Sequence, residues 1–232
     1  YITQHKPFVL YKAAMSLDGK TACHTGDSQW ISCEDSREEV HVLRGCYKGI
    51  MVGAGTILAD NPQLTARTEG MIDPVRIIVD GHLSVPLKAK VFQEEGENII
   101  LTRAVSDEGK RKALSDMGVD IIMTDGEENG SVDLEAAMTG LALKGIDSIL
   151  LEGGATLAAS AFDAGIVDKV RIYTAPMIIG GVSAPGLIGG EGAPTIPKAI
   201  RLRDIQTQMT GKDLVIEAYV EKEAKEEKAE ST

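Results

Sequence analysis

The run Ser148-Ile-Leu-Leu-Glu-Gly-Gly-Ala-Thr-Leu157 carries the densest chemical signal in the chain. An apolar strand ends in a carboxylate, two glycines follow that let a backbone approach closely, and a helix begins. Free N–H groups at a helix start attract anions, and the diphosphate of a dinucleotide suits such a turn. In open α/β sheets ligands collect outside the carboxyl ends of strands, where this turn must lie. The same glycines serve any tight strand–helix turn, and Glu-Gly-Gly lacks the fuller G-x-G-x-x-G spacing, so both readings stand. Glu152 is accordingly either a ligand for a sugar hydroxyl or a polar ring edge, or a surface loop acid.

Gly53-Ala54-Gly55-Thr56 repeats the strand-then-glycine pattern and is followed by Asp60-Asn61-Pro62. Thr56 and Asp60 could hydrogen-bond a ribose or an amide, although Asx-Pro turns occur in plain loops as well. Lys12 is a charge inside an apolar strand, which demands a partner, a ligand or a path to the sheet edge. Arg37, His41 and Arg44 fall at i, i+4 and i+7 on one helix face, where a basic stripe beside a cleft would hold a phosphomonoester. Arg37 and His41 are assigned instead to a solvated face. His5, His24 and His82 have no partner spacing and read as surface residues. Trp30, the single tryptophan, lies in a polar loop and either plugs the core or covers a planar ring.

The elements that position these residues alternate between strand and helix. Pro7–Met15, Gly49–Val52, Val75–Asp80, Asn98–Thr102, Val119–Met123, Ser148–Leu151, Val167–Thr174 and Asp213–Val220 read as strands. Helices start at Ser32, Ser106 and Ser131 as N-caps and after Gly154, ending near Cys46, Gly118, Gly145 and Gly165. Gly53–Thr56 reads as a turn, and the Gly- and Pro-rich segment 185–197 as a surface loop. Such alternation requires crossover connections, hence a mainly parallel sheet flanked by helices on both faces.

Composition bounds the function. A net charge of −11 argues against a general nucleic-acid binder. Twenty-five glycines with only 4% aromatics suit the tight turns of an α/β chain. Three cysteines, Cys23, Cys33 and Cys46, show no C-x-x-C spacing, so neither a disulfide framework nor a metal site is expected, and a reducing cytoplasm is. No apolar run reaches membrane-spanning length. One domain over 1–220 is expected, with 221–232 as a charged, solvated tail.

Read in register, Lys12-Ala-Ala-Met-Ser-Leu-Asp-Gly-Lys-Thr-Ala22, Gly26-Asp-Ser-Gln-Trp-Ile-Ser32, His41-Val-Leu-Arg44, the segment Val52 to Arg67, Pro74-Val-Arg-Ile-Ile-Val-Asp80 and Leu151-Glu-Gly-Gly-Ala-Thr-Leu157 are distinctive. In this order they closely resemble the reductase half of the bacterial bifunctional riboflavin-biosynthesis deaminase/reductase, across nearly the whole chain. The resemblance implies a dihydrofolate-reductase-like fold with a closing antiparallel strand. It implies NADPH as hydride donor and 5-amino-6-(5-phosphoribosylamino)uracil as substrate, reduced to the ribitylamino product. It places cofactor contacts at Ala14, Trp30, Thr56, Asp60 and the run Gly154, Ala155, Thr156, Leu157, Ala158, Ala159 and Ser160. Substrate contacts fall at Ser28, Arg44, Leu64, Arg67 and Glu152, with the two arginines sharing the phosphate. Lys12 matches a family lysine near the reacting carbon and is the expected proton donor or polariser, with Glu152 beside it.

Two departures stand out. Gly81 occupies a position that is Ser in many bacterial relatives. The H-x-E and P-C-x-x-C signature of the family's zinc deaminase does not occur in this sequence. The opening Tyr1-Ile2-Thr3 resembles the joint between the halves, so a deaminase is expected either removed or encoded separately. Thr102 and Arg103 are the expected seat of a cofactor 2′-phosphate, and a homodimer is the expected assembly. The rivals are the archaeal and fungal reductase type, which acts on the diamino-pyrimidinone before deamination, and a non-catalytic nucleotide-binding module.

Overall fold

The runs Ile50-Met-Val52, Ile77-Ile78, Ile99-Ile-Leu101 and Ile149-Leu-Leu151 are apolar on both faces and buried. That is the signature of strands inside a parallel sheet covered on both sides. The computed structural model describes residues 5–126 and 131–222. It builds one nine-stranded sheet from β1 (Phe8–Ser16), β2 (Gly49–Gly53), β3 (Val75–Val79), β4 (Asn98–Arg103), β5 (Asp120–Thr124), β6 (Ser148–Leu151), β7 (Lys169–Ala175), β8 (Leu202–Thr210) and β9 (Asp213–Val220). The strand order is β5-β4-β3-β2-β6-β1-β7-β9-β8. Pairing is parallel from β5 through to β7, and β9 runs antiparallel to both β7 and β8. The expected closing antiparallel strand is therefore present as a hairpin.

Side-chain alternation splits the core into two faces. Val9, Tyr11, Met51, Ile77 and Leu101 pack with α4 (Leu134–Leu143) and α5 (Ala155–Asp163) on one side. Ile50, Val52, Ile78 and Ile100 pack on the other with Ile57 of α2 (Ala54–Asp60) and Leu114 of α3 (Glu108–Asp116). Val40 of α1 (Glu34–Cys46) meets Ala14, Tyr173 and Val215 in a third apolar group.

α1 crosses the sheet. Its start lies against β9, where Asp213 Oδ2 accepts from Cys33 N and from Ser36 Oγ, each at 2.7 Å. Its middle reaches β7, where Glu39 pairs with Arg171. Its last turn reaches the end of β6 through Arg44 and Glu152. The N-cap is thus Cys33, not Ser32, and the capping carboxylate comes from another strand. Ser106 and Ser131 likewise give way to Asp107 and Asp133, whose side chains accept from Lys110 N and Ala136 N. Those aspartates stand nearer the helices and make the bond expected of the serines.

Two elements differ from the sequence expectation. Gly53–Thr56 is not a free turn: Gly53 is the N-cap of α2, which ends at Asn61 with φ 42°. β8 was not expected, because Leu202–Thr210 lacks an apolar alternation and almost every residue of it is exposed. It is an edge strand, broken by a register shift between Arg203 and Gln206 with Asp204 at φ 54°. Of the solvated tail expected from 221, residues 223–232 lie outside the described residues, as does the opening Tyr1-Ile2-Thr3.

Candidate active site

The carboxyl ends of β2 and β6 lie side by side next to the middle of β1, which runs on to Ser16 along β7. Tyr11 and Met51 both stand opposite Leu151, so Lys12, Val52 and Glu152 come next and share one face. Glu152 N donates to Met51 O at 2.9 Å, which carries the strand one residue beyond its last pair. Glu152 then receives Arg44 in a two-pronged pair, Nε to Oε1 at 3.1 Å and Nη2 to Oε2 at 2.8 Å. Both side chains are 15% exposed.

These charges set one another. Burial lowers the Lys12 ammonium below the ordinary lysine value, with Glu152 pulling it back up and Arg44 pushing it further down. Burial by itself would raise the Glu152 carboxyl, yet Lys12, Arg44 and the Arg44 hydrogen bonds hold it below the usual carboxylate range. The Lys12 ammonium also stands 5.6 Å from the centroid of the fully buried Tyr173 ring. Arg171 Nε donates to the Tyr173 hydroxyl at 2.9 Å, which ties that ring to the sheet.

The segment after α2 borders this cluster. Arg44 Nη1 reaches Thr65 O at 3.3 Å, and Ala66 N donates to Asp73 Oδ1 at 2.8 Å. Arg67 follows, exposed and at φ 57°, with a long 3.4 Å contact to Gln63 Oε1. Leu64 has its side chain inside the core at 3% exposure, so what it could offer a ligand is backbone. Ser28 lies exposed in the loop before α1. Lys12, Arg44 and Arg67 set against Glu152 make this corner positive in a chain of net charge −11, the field an anionic substrate would follow.

The two glycine turns meet beside that corner. A Cβ at Gly53 would stand 3.6 Å from Leu157, and one at Gly153 would stand 3.1 Å from it. Gly154 caps α5 without a side chain, has open space where a Cβ would be, and is exposed. That leaves the first-turn N–H groups of a nine-residue helix facing outward, which fits a diphosphate. Ala158 N is already bonded to Gly154 O, and Leu157, Ala158 and Ala159 are buried. The solvent-facing residues at the head of the run are Gly154, Ala155 and Thr156, with Ser160 one turn on and partly exposed. Thr56 lies in the first turn of α2 and Asp60 at its exposed end, one turn apart on one face. Ala14 lies two residues beyond Lys12 on β1, paired with Tyr173.

Four features here were not drawn from the sequence. His41 belongs to the charged corner, not to a solvated face. Its Nδ1 is buried without a hydrogen-bond partner among the described residues, and burial, then Arg44 and Arg67, hold it below the usual histidine value against the opposing pull of Glu152 and the Thr65 backbone. Arg37 lies 4.7 Å from the Trp30 ring centroid. His82 Nδ1 lies 2.8 Å from Arg103 Nη2, and Arg103 Nε donates to Gly81 O at 3.1 Å. Gly189, in a segment read as plain surface loop, donates to Ala155 O at 3.0 Å, and a Cβ on it would meet the Ala155 backbone at 3.2 Å. Each of these contacts joins residues far apart in sequence or too plain in type to signal themselves.

Comparison with known proteins covers nearly the whole chain. Residues 7–216 match the family described as the RibD C-terminal domain. The chain is 40% identical over 221 residues to the riboflavin biosynthesis protein RibD of Actinobacillus pleuropneumoniae, covering 95% of this chain and 58% of that one. It is 36% identical over 220 residues to a 2,5-diamino-6-ribosylamino-4(3H)-pyrimidinone 5′-phosphate reductase of Methanothermobacter thermautotrophicus, covering 93% and 99% respectively. Among solved structures, a deaminase/5-amino-6-(5-phosphoribosylamino)uracil reductase of Thermotoga maritima superposes with a TM-score of 0.76 at 30% identity, over 95% of this chain and 58% of that one. The chain thus spans little more than half of the RibD relatives it matches.

Proposed function

As the chain belongs to the RibD C-terminal domain family, we propose that it reduces the ribose of 5-amino-6-(5-phosphoribosylamino)uracil to a ribityl chain with NADPH. The observation that carries the reading is the convergence of Lys12 and Arg44 on Glu152 at the end of β6, beside the uncapped start of α5. Gly154, Ala155 and Thr156 would hold the cofactor diphosphate, with Thr56, Asp60, Ala14 and Trp30 as further contacts. When bound there, the nicotinamide would supply the hydride for C1′ of the opened sugar.

The residues do the rest by position and charge. Addition of a hydride to an imine or aldehyde carbon leaves a basic nitrogen or oxygen, which must take a proton. Lys12, its ammonium lowered by burial, supplies that proton, and Glu152 keeps it charged and oriented. Because Glu152 engages two of the Arg44 donors, Arg67 is the freer of the two arginines for the substrate phosphate. Thr102 is fully buried, so of the expected pair Arg103, now with His82, is the proposed seat of the 2′-phosphate that separates NADPH from NADH.

Assays of both pyrimidines with NADPH test the reading. Turnover of the uracil compound supports it, and turnover of the diamino-pyrimidinone alone would transfer the chain to the second type. That second reading has one observation in its favour, the match along 99% of the archaeal relative. Tight NADPH binding without turnover of either would leave a binding module.

A homodimer through the edge of the sheet completes the proposal. Among the described residues β8 has no strand on its outer edge, and Ile205 and Met209 on it are each 62% exposed. Sedimentation showing a monomer at micromolar concentration would remove it. The length of the RibD relatives supports a deaminase partner, fused or separate. Cys23, Cys33 and Cys46 all stand free, which suits a reducing cytoplasm.

A further inference from the structure

Trp30 is the single tryptophan of the chain and is 66% exposed, although its neighbour Ile31 is buried at 8%. An indole so placed gives up the stabilisation that burial of its large surface would bring. The contact that the structure gives its ring is from Arg37, whose guanidinium carbon lies 4.7 Å from the ring centroid. Arg37 is itself fixed, since its Nη1 donates to Ser32 O at 2.7 Å, two residues beyond the ring it touches. It sits in the first turn of α1, whose start is anchored to Asp213 of β9. A rigid helix thus reaches back, through one side chain, to both the ring and the backbone of the loop that carries it.

We propose that Arg37 is a positioning residue that holds the Trp30 indole upright, with its remaining surface turned to a planar ligand ring. The inference rests on the reading of Trp30 as a cofactor contact and gives that contact its support. A guanidinium beside an indole gains from the ring quadrupole while hydrated on its outer side, so the pairing survives at an exposed site. An unsupported exposed tryptophan would sample several rotamers, and binding would then have to order it.

Because Trp30 is the only tryptophan, its emission reports this site alone. In the wild type, NADPH added to the free protein is expected to quench that emission saturably. If it does not, the cofactor reading of Trp30 falls, and the inference with it. Arg37→Ala is expected to lower the anisotropy of Trp30 in the ligand-free protein and to weaken NADPH about two- to fivefold, the scale of an exposed cation–π contact. Arg37→Lys is expected to recover part of both effects. With Trp30→Ala as background, followed by calorimetry, Arg37→Ala should add nothing further to the loss of NADPH affinity. Overturning results are an Arg37→Ala protein with wild-type affinity, or one whose loss persists in full without Trp30.

Discussion

Arg44 holds Glu152 through both carboxylate oxygens, at 3.1 and 2.8 Å, across 108 residues of sequence. The pair fastens the last turn of α1 to the end of β6 and fixes the acid that faces Lys12. Removing one partner would strand the other, and the stranded cost exceeds what the pair itself contributes.

Glu152→Gln is therefore expected to destabilise the fold by about 2–3 kcal/mol near neutral pH. The folded carboxyl lies below its unfolded value, so its contribution is present above the ordinary carboxylate range and fades as pH falls through the lowered value. Melting temperatures of the two proteins should converge in acid. A gap that stays constant from neutral pH into acid would show that the carboxylate charge is not what Arg44 and Lys12 need.

Lys12→Met should cost at least ~100-fold in kcat while NADPH affinity holds, the range for loss of a proton donor. In the wild type the rate should fall as pH rises through the Lys12 value, and burial sets that limb below the ordinary lysine range. Since Glu152 raises the Lys12 value, Glu152→Gln should move the alkaline limb to lower pH. A limb that moves upward would assign the proton to another group.

Arg67→Ala should raise KM for the phosphorylated substrate about 10- to 100-fold, the worth of charged hydrogen bonds, and leave NADPH affinity alone. A dephosphorylated substrate should react equally with both proteins. Equal losses on both substrates would place Arg67 away from the phosphate.

Arg103→Ala should erode the preference for NADPH over NADH, because its guanidinium and His82 stand together at the end of β4. Binding of 2′-phosphoadenosine compounds against their unphosphorylated forms measures this without turnover. An unchanged ratio would move the 2′-phosphate elsewhere.

Gly189→Ala would press a Cβ to 3.2 Å from the Ala155 backbone at the start of α5. The expected cost is about 1 kcal/mol in stability with weaker NADPH binding. Wild-type affinity in a folded variant would separate this loop from the cofactor seat.

Much of this was legible in the residues themselves. Runs such as Ile149-Leu150-Leu151 declare a buried parallel strand, and Glu152-Gly153-Gly154 declares its end and the next helix. β8 was not legible, because an edge strand such as Leu202–Thr210 is exposed on both faces and needs no apolar period. Helix starts shifted by one or two residues for a related reason. A cap is chosen by which carboxylate reaches the N–H groups, and for α1 that carboxylate is Asp213, distant in sequence. Arg37 and His41 looked like a solvated face, because helix periodicity shows which residues share a side but not what that side meets.

The trans-cap on α1 sets an order of events during synthesis. Cys33 and Asp213 are 180 residues apart, so the helix that carries Arg44 stays unanchored at its start until β9 has left the ribosome. Contacts of such long range close slowly and late. The nascent chain can stack its parallel strands early, yet the start of α1 finds its anchor only once β9 has been made, so the helix settles onto the sheet after the strands it crosses.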